Sequence, residues 1–275
     1  MSVIINGTDG VSTPNTFAFK NRLIDAGFII NQRGYTSGTA LSAGSYGHDR
    51  WKAGSGGATY TFTQGSLGVN TTITITAGTL VQVIEGCNLA EGGTYVLSWT
   101  GTAQGRLNGG TYGASGTVVI TGWTAGTNLN VEFNTGTLGS VQLETGNQAT
   151  SFDYRPYGTE LALCQRYYYK VGPTGTDGFT QLAFANITST TNHVAFLPCP
   201  PMRTAATSID YANIGFITQW GAGVTSISAL TLQRNNPNGA TLSATLSSAL
   251  GSVGGVSIFL QNNNSGGYVA LSAEL

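Results

Sequence analysis

The 275-residue sequence predicts an all-β fold: two β-sandwich, jelly-roll-like domains joined by a short α-helix, with an N-terminal arm. Three observations predict this fold class. Short runs alternate apolar residues with Thr or Ser, which is the two-residue period of a half-buried strand. Glycine, asparagine and serine separate these runs at short intervals, and the chain contains 40 glycines. Clear helical spacing occurs once near the middle of the chain, directly after Pro156. Many short strands with turn signals between them are typical of β-sandwiches.

Residues 1–26 are predicted to form an N-terminal arm. A short apolar strand opens this arm, and a short helix is expected to start at Pro14. Proline is favoured in the first turn of a helix, and Gly27 lies just after the expected end. Such an arm either packs on its own domain or attaches the protein to another molecule, and the sequence leaves both alternatives open.

Residues 27–153 are predicted to form the first β-sandwich. One alternating face of each strand should lie on the core and the other should carry Thr and Ser outward. Trp51, in a compact polar-aromatic strand, and Trp99, on an alternating apolar face, are expected in the core. The predicted strands are 58–63, 72–76, 80–84, 94–100, 118–120, 129–133 and 140–144.

Residues 154–170 are predicted to be a linker that contains a short helix over 159–168. Pro156 pushes the residue before it towards an extended conformation, which marks the domain boundary. Thr159 is expected to cap the helix, and Glu160 favours the positive end of the helix dipole. One face of the helix is expected to be buried, consisting of Leu161, Cys164 and Tyr168.

Residues 171–275 are predicted to form the second β-sandwich. Between Tyr211 and Ala273 the sequence has a single charged residue, Arg234. Since soluble monomers normally carry both signs of charge over their surface, this neutral stretch favours a homo-oligomer, with a monomer of neutral polar surface as the alternative. The predicted strands are 179–187, 193–197, 207–211, 215–220, 226–232, 240–246, 256–261 and 268–272.

Charge and composition exclude several classes of partner. Lys and Arg number 11 and Asp and Glu number 12, giving a net charge of −1. A protein that binds nucleic acid normally carries a basic patch, so no nucleic-acid partner is expected. No apolar run is long enough for a transmembrane helix, and the first residues lack the pattern of a secretory signal, so no membrane insertion is expected. Phosphate-binding and dinucleotide-binding motifs are absent, which predicts no cofactor.

The small number and wide spacing of cysteines, histidines and acids predict no catalytic site and no metal site. Three widely spaced cysteines, Cys87, Cys164 and Cys199, make a poor disulfide or zinc pattern and are expected to be buried free thiols. Two histidines, His48 and His193, offer few metal ligands or general bases. No Gly-x-Ser-x-Gly elbow is present, and no two acids lie at neighbouring positions of one strand face. Acids that meet across strands keep a hydrolase open as an alternative.

The remaining polar and aromatic residues favour ligand binding. A sugar ring stacks its C–H face on aromatic rings while its hydroxyls bond to polar side chains. Tyr112 lies at a glycine-rich hairpin tip, with Arg106 and Asn108 in the same loop, and Trp123 follows a strand before a turn. These four residues are the first candidate ligand site. Trp220, followed by Gly-Ala-Gly, is a second exposed candidate.

Two stretches of the sequence resemble motifs of one known family. The first is Asn31-Gln32-Arg33-Gly34, followed later by Asp49-Arg50-Trp51. It resembles the opening of a jelly-roll module in bacteriophage and prophage tail-fibre proteins, a module that is similar to carbohydrate-binding modules. The second is the junction QLETG (142–146), ATSF (149–152), Arg155 and ELALCQRYYYK (160–170), which resembles the end of such a module and the start of a C-terminal β-domain. The final LSAEL is of the type that ends such proteins.

The resemblance implies a virion structural protein without enzymatic activity. It implies a tail fibre or receptor-binding protein, a homotrimer made in the host cytoplasm and located in the phage particle. Its expected partners are further copies of itself, other virion proteins contacted through the arm, and a bacterial surface glycan. Two alternatives remain: a capsid decoration or tail-assembly protein that binds only virion proteins, and a surface-polysaccharide hydrolase.

Overall fold

A computed structural model describes residues 4–6, 10–12, 19–172, 181–218, 223–262 and 266–275. Within these ranges every regular element is a strand except one α-helix and one 3₁₀ turn. The predicted all-β fold class is therefore confirmed. The chain divides into two compact units, Met1–Leu161 together with Leu275, and Ala162–Glu274. The finer division into arm, module, linker and second domain stays a prediction.

The first unit contains ten strands in its described residues. They are β1 (Ile4–Asn6), β2 (Gly10–Ser12), β3 (Ala40–Leu41), β4 (Lys52–Phe62), β5 (Ile73–Ile84), β6 (Gly93–Thr100), β7 (Gly105–Leu107), β8 (Val118–Trp123), β9 (Leu129–Phe133) and β10 (Gly136–Thr145). A 3₁₀ turn spans Gly86–Leu89. β1 and β2 form a separate antiparallel pair, and the other eight strands form one curled sheet.

β10 is the strand that curls this sheet. Its first residues, Gly136–Leu138, pair with β5, and after an irregularity between Gly139 and Gln142 it pairs with β6. β5 also pairs with β9 and β4, and β9 pairs with β7. One layer therefore runs β3-β4-β5-β9-β7 and the other β10-β6-β8, with β3, β7 and β8 as edge strands.

The core of the first unit is aromatic. Trp51 is fully buried and Trp99 is 6% exposed, as predicted. The segment around Trp51 is not a strand, however, because residues 47–50 form a turn in which Arg50 has a φ of +68°. Asp49 and Arg50 are both buried, and hydrogen bonds offset the cost of burying their charges. Asp49 accepts the backbone N–H of Gln32 at 3.1 Å, and Arg50 donates to the carbonyl of Val83 at 2.6 Å.

The predicted strands 72–76 and 80–84 are one continuous strand, β5. Gly78 allows the strand to continue because its φ of +71° lies in the left-handed region, which residues other than glycine rarely adopt. A Cβ at this position would lie 2.0 Å from the carbonyl oxygen of Gly57 on β4. The turn signal in the sequence is therefore a strand irregularity.

The last residues of the predicted arm belong to the first unit. Pro14 lies outside the described residues, but residues 19–26 are not helical, so the helix expectation is wrong over this part. Leu23 and Ala26 lie in the core. The Asn21 side chain donates to the carbonyl of Val141 at 2.8 Å and so ties this segment to β10. An irregular segment is tolerated there because polar side chains satisfy its backbone groups.

The helix, α1, spans Tyr157–Gln165 and begins two residues before the predicted start. The carbonyl of Pro156 accepts the N–H groups of Thr159 and Glu160 at 3.0 and 3.1 Å. Thr159 therefore lies inside the helix and does not cap it, which corrects the prediction. Cys164 is fully buried as expected.

The second unit contains nine strands in its described residues. They are β11 (Tyr168–Val171), β12 (Gln181–Ser189), β13 (Asn192–Pro198), β14 (Ser208–Ala212), β15 (Ile214–Ile217), β16 (Thr225–Asn236), β17 (Gly239–Leu246), β18 (Val256–Gln261) and β19 (Tyr268–Ser272). Six of them close into an antiparallel barrel in the order β12-β13-β17-β16-β15-β18, and β11-β19-β14 form a three-stranded sheet. Phe216 and Phe259 stack in the core with ring centroids 4.8 Å apart.

Candidate binding site

β7 and the residues after it form a short loop, 105–113, which carries three of the predicted ligand-binding residues: Arg106 on β7, and Asn108 and Tyr112 beyond it. Gly105 and Gly113 exchange two backbone hydrogen bonds of 3.1 and 2.9 Å, which close the base of this loop. Asn108 adopts a φ of +46°, a conformation that asparagine tolerates better than most residues, and turns the chain out of β7. Its backbone N–H donates to the carbonyl of Asn130 on β9 at 2.8 Å. The loop is therefore held to the sheet on two sides.

Arg106, Tyr112 and Glu132 form one hydrogen-bonded cluster on the outer face of the sheet. Arg106 and Glu132 are cross-strand neighbours on β7 and β9. Arg106 donates from Nε to Glu132 Oε2 at 2.8 Å, and its terminal nitrogen lies 2.7 Å from the same oxygen. Tyr112 donates its hydroxyl to Glu132 Oε1 at 3.1 Å. The guanidinium carbon of Arg106 lies 4.5 Å from the centroid of the Tyr112 ring, within cation–π range.

The electrostatics of this cluster favour fixed orientation over reactivity. The hydrogen bond that Arg106 donates to Glu132 raises the pKa of Arg106, which stays charged at all relevant pH values. Partial burial, followed by the charge of Glu132, raises the pKa of Tyr112, which keeps its hydroxyl protonated as a donor. The side chains of Arg106 and Glu132 are 29% and 17% exposed, so solvent reaches the pair. Such a pair contributes no more than about 1 kcal/mol to folding stability.

An apolar groove lies beside the loop, between the edge strands β7 and β8. Its volume is about 280 Å³, which is close to the lower end for small-molecule sites. Asn108 and Thr111 supply polar groups, and Val119, which is 38% exposed, is the most exposed of its large apolar side chains. The arrangement places a shallow apolar surface next to polar groups of the loop. A sugar ring, which has an apolar face and a polar rim, needs both kinds of surface.

Trp123 does not line this groove. Trp123 is the last residue of β8 and not a loop residue, and it packs partly against the core. Its indole N–H donates to the carbonyl of Thr127 at 3.2 Å, so its polar group is used locally. Trp220 lies outside the described residues. The structure therefore brings Arg106, Asn108 and Tyr112 together and leaves Trp123 apart.

Glu132 is the member of the cluster that sequence reasoning missed. It lies in the run Leu129–Phe133, whose alternation places Asn130 and Glu132 on the outward face. That alternation is visible in the sequence, whereas the pairing of β9 with β7 is not. The signal for Glu132 was therefore an isolated acid on an otherwise neutral strand face.

A second polar cluster lies inside the first unit, around the fully buried Asp25. Its Oδ1 atom accepts the N–H groups of Ile29 and Ile30 at 2.8 and 2.9 Å. Burial, followed by the charge of Asp49, raises the pKa of Asp25 well above its ordinary value. Glu160 accepts the backbone N–H of Asp25.

This acidic cluster is closed to substrates. Arg155 pairs with Glu160 at 3.2 Å and donates to the carbonyls of Asn21 and Leu23. The adjoining cavity has a volume of about 10 Å³, enough for about one water. A glycosidase needs space for a sugar between its two carboxylates. The surroundings of Asp25 and Glu160 leave no such space.

The remaining reactive groups are dispersed. None of the three cysteines forms a disulfide: Cys164 is buried, Cys199 is half-buried and Cys87 is exposed, which corrects the expected burial of Cys87. Within the described residues, no three His, Cys, Asp or Glu side chains are grouped as metal ligands would be. In the same part of the chain, no helix has the length and apolarity needed to cross a bilayer.

Comparison with known proteins found no matching family model, no matching curated protein and no matching solved structure.

Proposed function

We propose that this chain is a non-enzymatic structural protein of a bacteriophage particle, of the tail-fibre or receptor-binding type, which binds a bacterial surface glycan. The observation that carries the binding proposal is the loop closed by Gly105 and Gly113. It joins the Arg106–Glu132–Tyr112 cluster to Asn108 and Thr111, which line a groove of about 280 Å³ between β7 and β8. The phage assignment itself rests on the sequence resemblance at 142–146 and 160–170.

The chemistry of the loop suits a neutral or weakly polar sugar. Charged and amide side chains exchange paired hydrogen bonds with vicinal hydroxyls, while the apolar floor contacts C–H groups. Arg106 and Glu132 neutralise each other, so the site does not select a strongly charged ligand. A shallow site of this size binds weakly, and several copies in one particle raise avidity by about 10²–10⁴. The proposal therefore includes self-association, with a homotrimer as the expected state and other virion proteins bound through the N-terminal arm.

A glycan array with the purified full chain tests the binding proposal. We expect wild type to bind at least one bacterial surface glycan, and Tyr112→Ala and Asn108→Ala to reduce that binding at least tenfold. Tyr154→Ala is the matched control because Tyr154 is 74% exposed in the same unit but belongs neither to the groove nor to the Arg106–Glu132–Tyr112 cluster. Undiminished binding in both loop variants would remove this site, and absence of any bound glycan would remove the proposed function.

The same preparations separate binding from hydrolysis. Incubation with host polysaccharide should release no new reducing ends if the protein only binds. A clear release of reducing ends would favour the hydrolase alternative. Location in the particle separates the two structural alternatives, since density at the capsid lattice would identify a decoration protein and density at the tail would support a fibre.

A further inference from the structure

The barrel of the second unit carries an exposed apolar face, which we call the phenylalanine face. Phe184 and Phe196 are 63% and 53% exposed, and Val256 is 56% exposed. Together with Asn186, Val194 and Thr241 they line a groove of about 350 Å³. Single exposed apolar residues are common on soluble proteins, but three in one groove form a patch that needs an explanation.

The strand register fixes this exposure. On β12 and β13 the inward positions are Ala185, Ile187, Ala195 and Leu197, all at most 3% exposed. Since side chains alternate along a strand, Phe184 and Phe196 must then point outward. Asn186 pairs with Val194 on β13 and with Val256 on β18. The outward side chains of these three residues therefore lie side by side across the three strands. A rotation that buried the phenylalanines would expose the barrel core, so the face is a permanent feature of the fold.

The size of the face matches the centre of a protein interface. A phenylalanine side chain presents roughly 150–250 Å² when free, so the two half-exposed rings together leave about 200–250 Å² uncovered. The valines extend this patch. A standard interface buries about 800 Å² on each partner, with apolar residues at its centre and polar residues around them. Asn186 and Thr241 provide the start of such a polar rim.

The charge pattern indicates which partner covers the face. The six barrel strands contain one charged side chain, Arg234, and the fully buried His193. A partner that brings charges to this surface would lose their hydration without gaining an opposite charge. Another copy of the same barrel presents an equally neutral surface.

We infer that copies of this chain associate by packing their phenylalanine faces against one another. The inference rests on the self-association in the proposed function and is independent of the glycan site in the first unit. It predicts that the phenylalanine face, and no other part of the barrel, controls the assembly.

Light scattering on the full chain, from low-micromolar to near-millimolar concentration, tests the inference. We expect wild type to form an oligomer and the double variant Phe184→Ser with Phe196→Ser to weaken association by about 30-fold or more, as expected when residues at the centre of an interface are removed. Both side chains are more than half exposed, so the monomer should keep its β-type circular dichroism.

Three further variants keep the test decisive. Asn186→Asp adds one negative charge to the groove at nearly constant side-chain shape. Because like charges then meet across the interface, association should weaken at pH 7. Below pH 4 the new carboxyl is largely protonated, so association should weaken much less. Val256→Asp and Val253→Asp form a matched pair, since both valines are exposed but Val253 lies outside the groove. We expect Val256→Asp to dissociate the oligomer and Val253→Asp to leave it intact.

The outcomes separate the two proposals. Folded variants of the phenylalanine face that associate like wild type would overturn this inference while leaving self-association in place. A wild-type protein that is monomeric throughout the concentration range would overturn both. A failure to bind any glycan would defeat the proposed function without changing the measured masses.

Discussion

Acid should destabilise the first unit through His48. This histidine is fully buried, and its Nδ1 atom lies 2.9 Å from the hydroxyl oxygen of Tyr60. The rings of Phe62 and Phe28 approach with centroids at 4.5 and 5.8 Å, so water does not surround the imidazole. Burial lowers the pKa of His48 from 6.5 to about 4, although the hydrogen bond that the imidazole makes to Gln64 Oε1 opposes this shift.

The sign and size of the effect follow from this lowered pKa. In the unfolded chain the imidazole binds a proton near pH 6.5, whereas in the folded unit it stays neutral until about pH 4. The stability linked to neutral His48 is therefore complete above pH 6.5 and is lost as the pH falls. Proton linkage gives a loss of about 2 kcal/mol at pH 5 and about 3 kcal/mol at pH 4. Asp25 acts in the opposite direction, because its raised pKa means that the folded unit gains stability when this carboxyl takes up a proton.

Comparison with His48→Asn isolates the histidine from Asp25. Urea unfolding, followed by the fluorescence of the buried Trp51 and Trp99, should show that the advantage of wild type over His48→Asn shrinks by about 2 kcal/mol between pH 7 and pH 5. The control is His193→Asn, which alters a histidine of the second unit and should leave the first unit's pH dependence unchanged. Parallel pH profiles for wild type and His48→Asn would refute the reasoning.

Three further substitutions test the cores of both units. Asp25→Asn keeps an oxygen for its two backbone donors and removes a buried charge near Asp49. Urea unfolding at pH 7 should therefore show a gain of about 1 kcal/mol in the free energy of unfolding. A clear loss of stability would contradict the cost assigned to burying this carboxylate. Gly78→Ala should cost at least about 2 kcal/mol, because its φ is left-handed and its Cβ would meet the Gly57 carbonyl; an unchanged melting temperature would contradict this. Phe259→Ala should cost about 3–5 kcal/mol in calorimetry of the barrel, and a loss below about 1 kcal/mol would show that the site collapses.

The strands were predictable from the sequence because their signal is local. Alternation along 129–133 and 240–246 is visible without knowledge of any partner strand, and these runs match β9 and β17 closely. Short strands such as β3 and β7 were missed because two or three residues are too few to define a period. Gly78 shows the complementary error, since a turn residue inside a long strand looks like the end of a strand.

Closure of the barrel was not predictable because it depends on pairing between distant strands. β12 pairs with β18, which lies more than 60 residues later in the chain. The same limit applies to the candidate site. The loop that contains Arg106, Asn108 and Tyr112 was identified from its glycines and its aromatic tip, whereas Glu132 reaches that loop only through the pairing of β9 with β7.

The scarcity of charge has a consequence for how copies of the protein meet. Five of the charged residues lie buried in the first unit: Asp25, Asp49, Arg50, Glu144 and Glu160. The surface is therefore even less charged than the 8% composition indicates, and electrostatic repulsion between copies is small. If apolar contact drives their association, added salt has few charge pairs to screen and should leave the association constant unchanged or raise it. Association that weakens strongly as salt is added would instead require charged residues at the interface, and the phenylalanine face contains none.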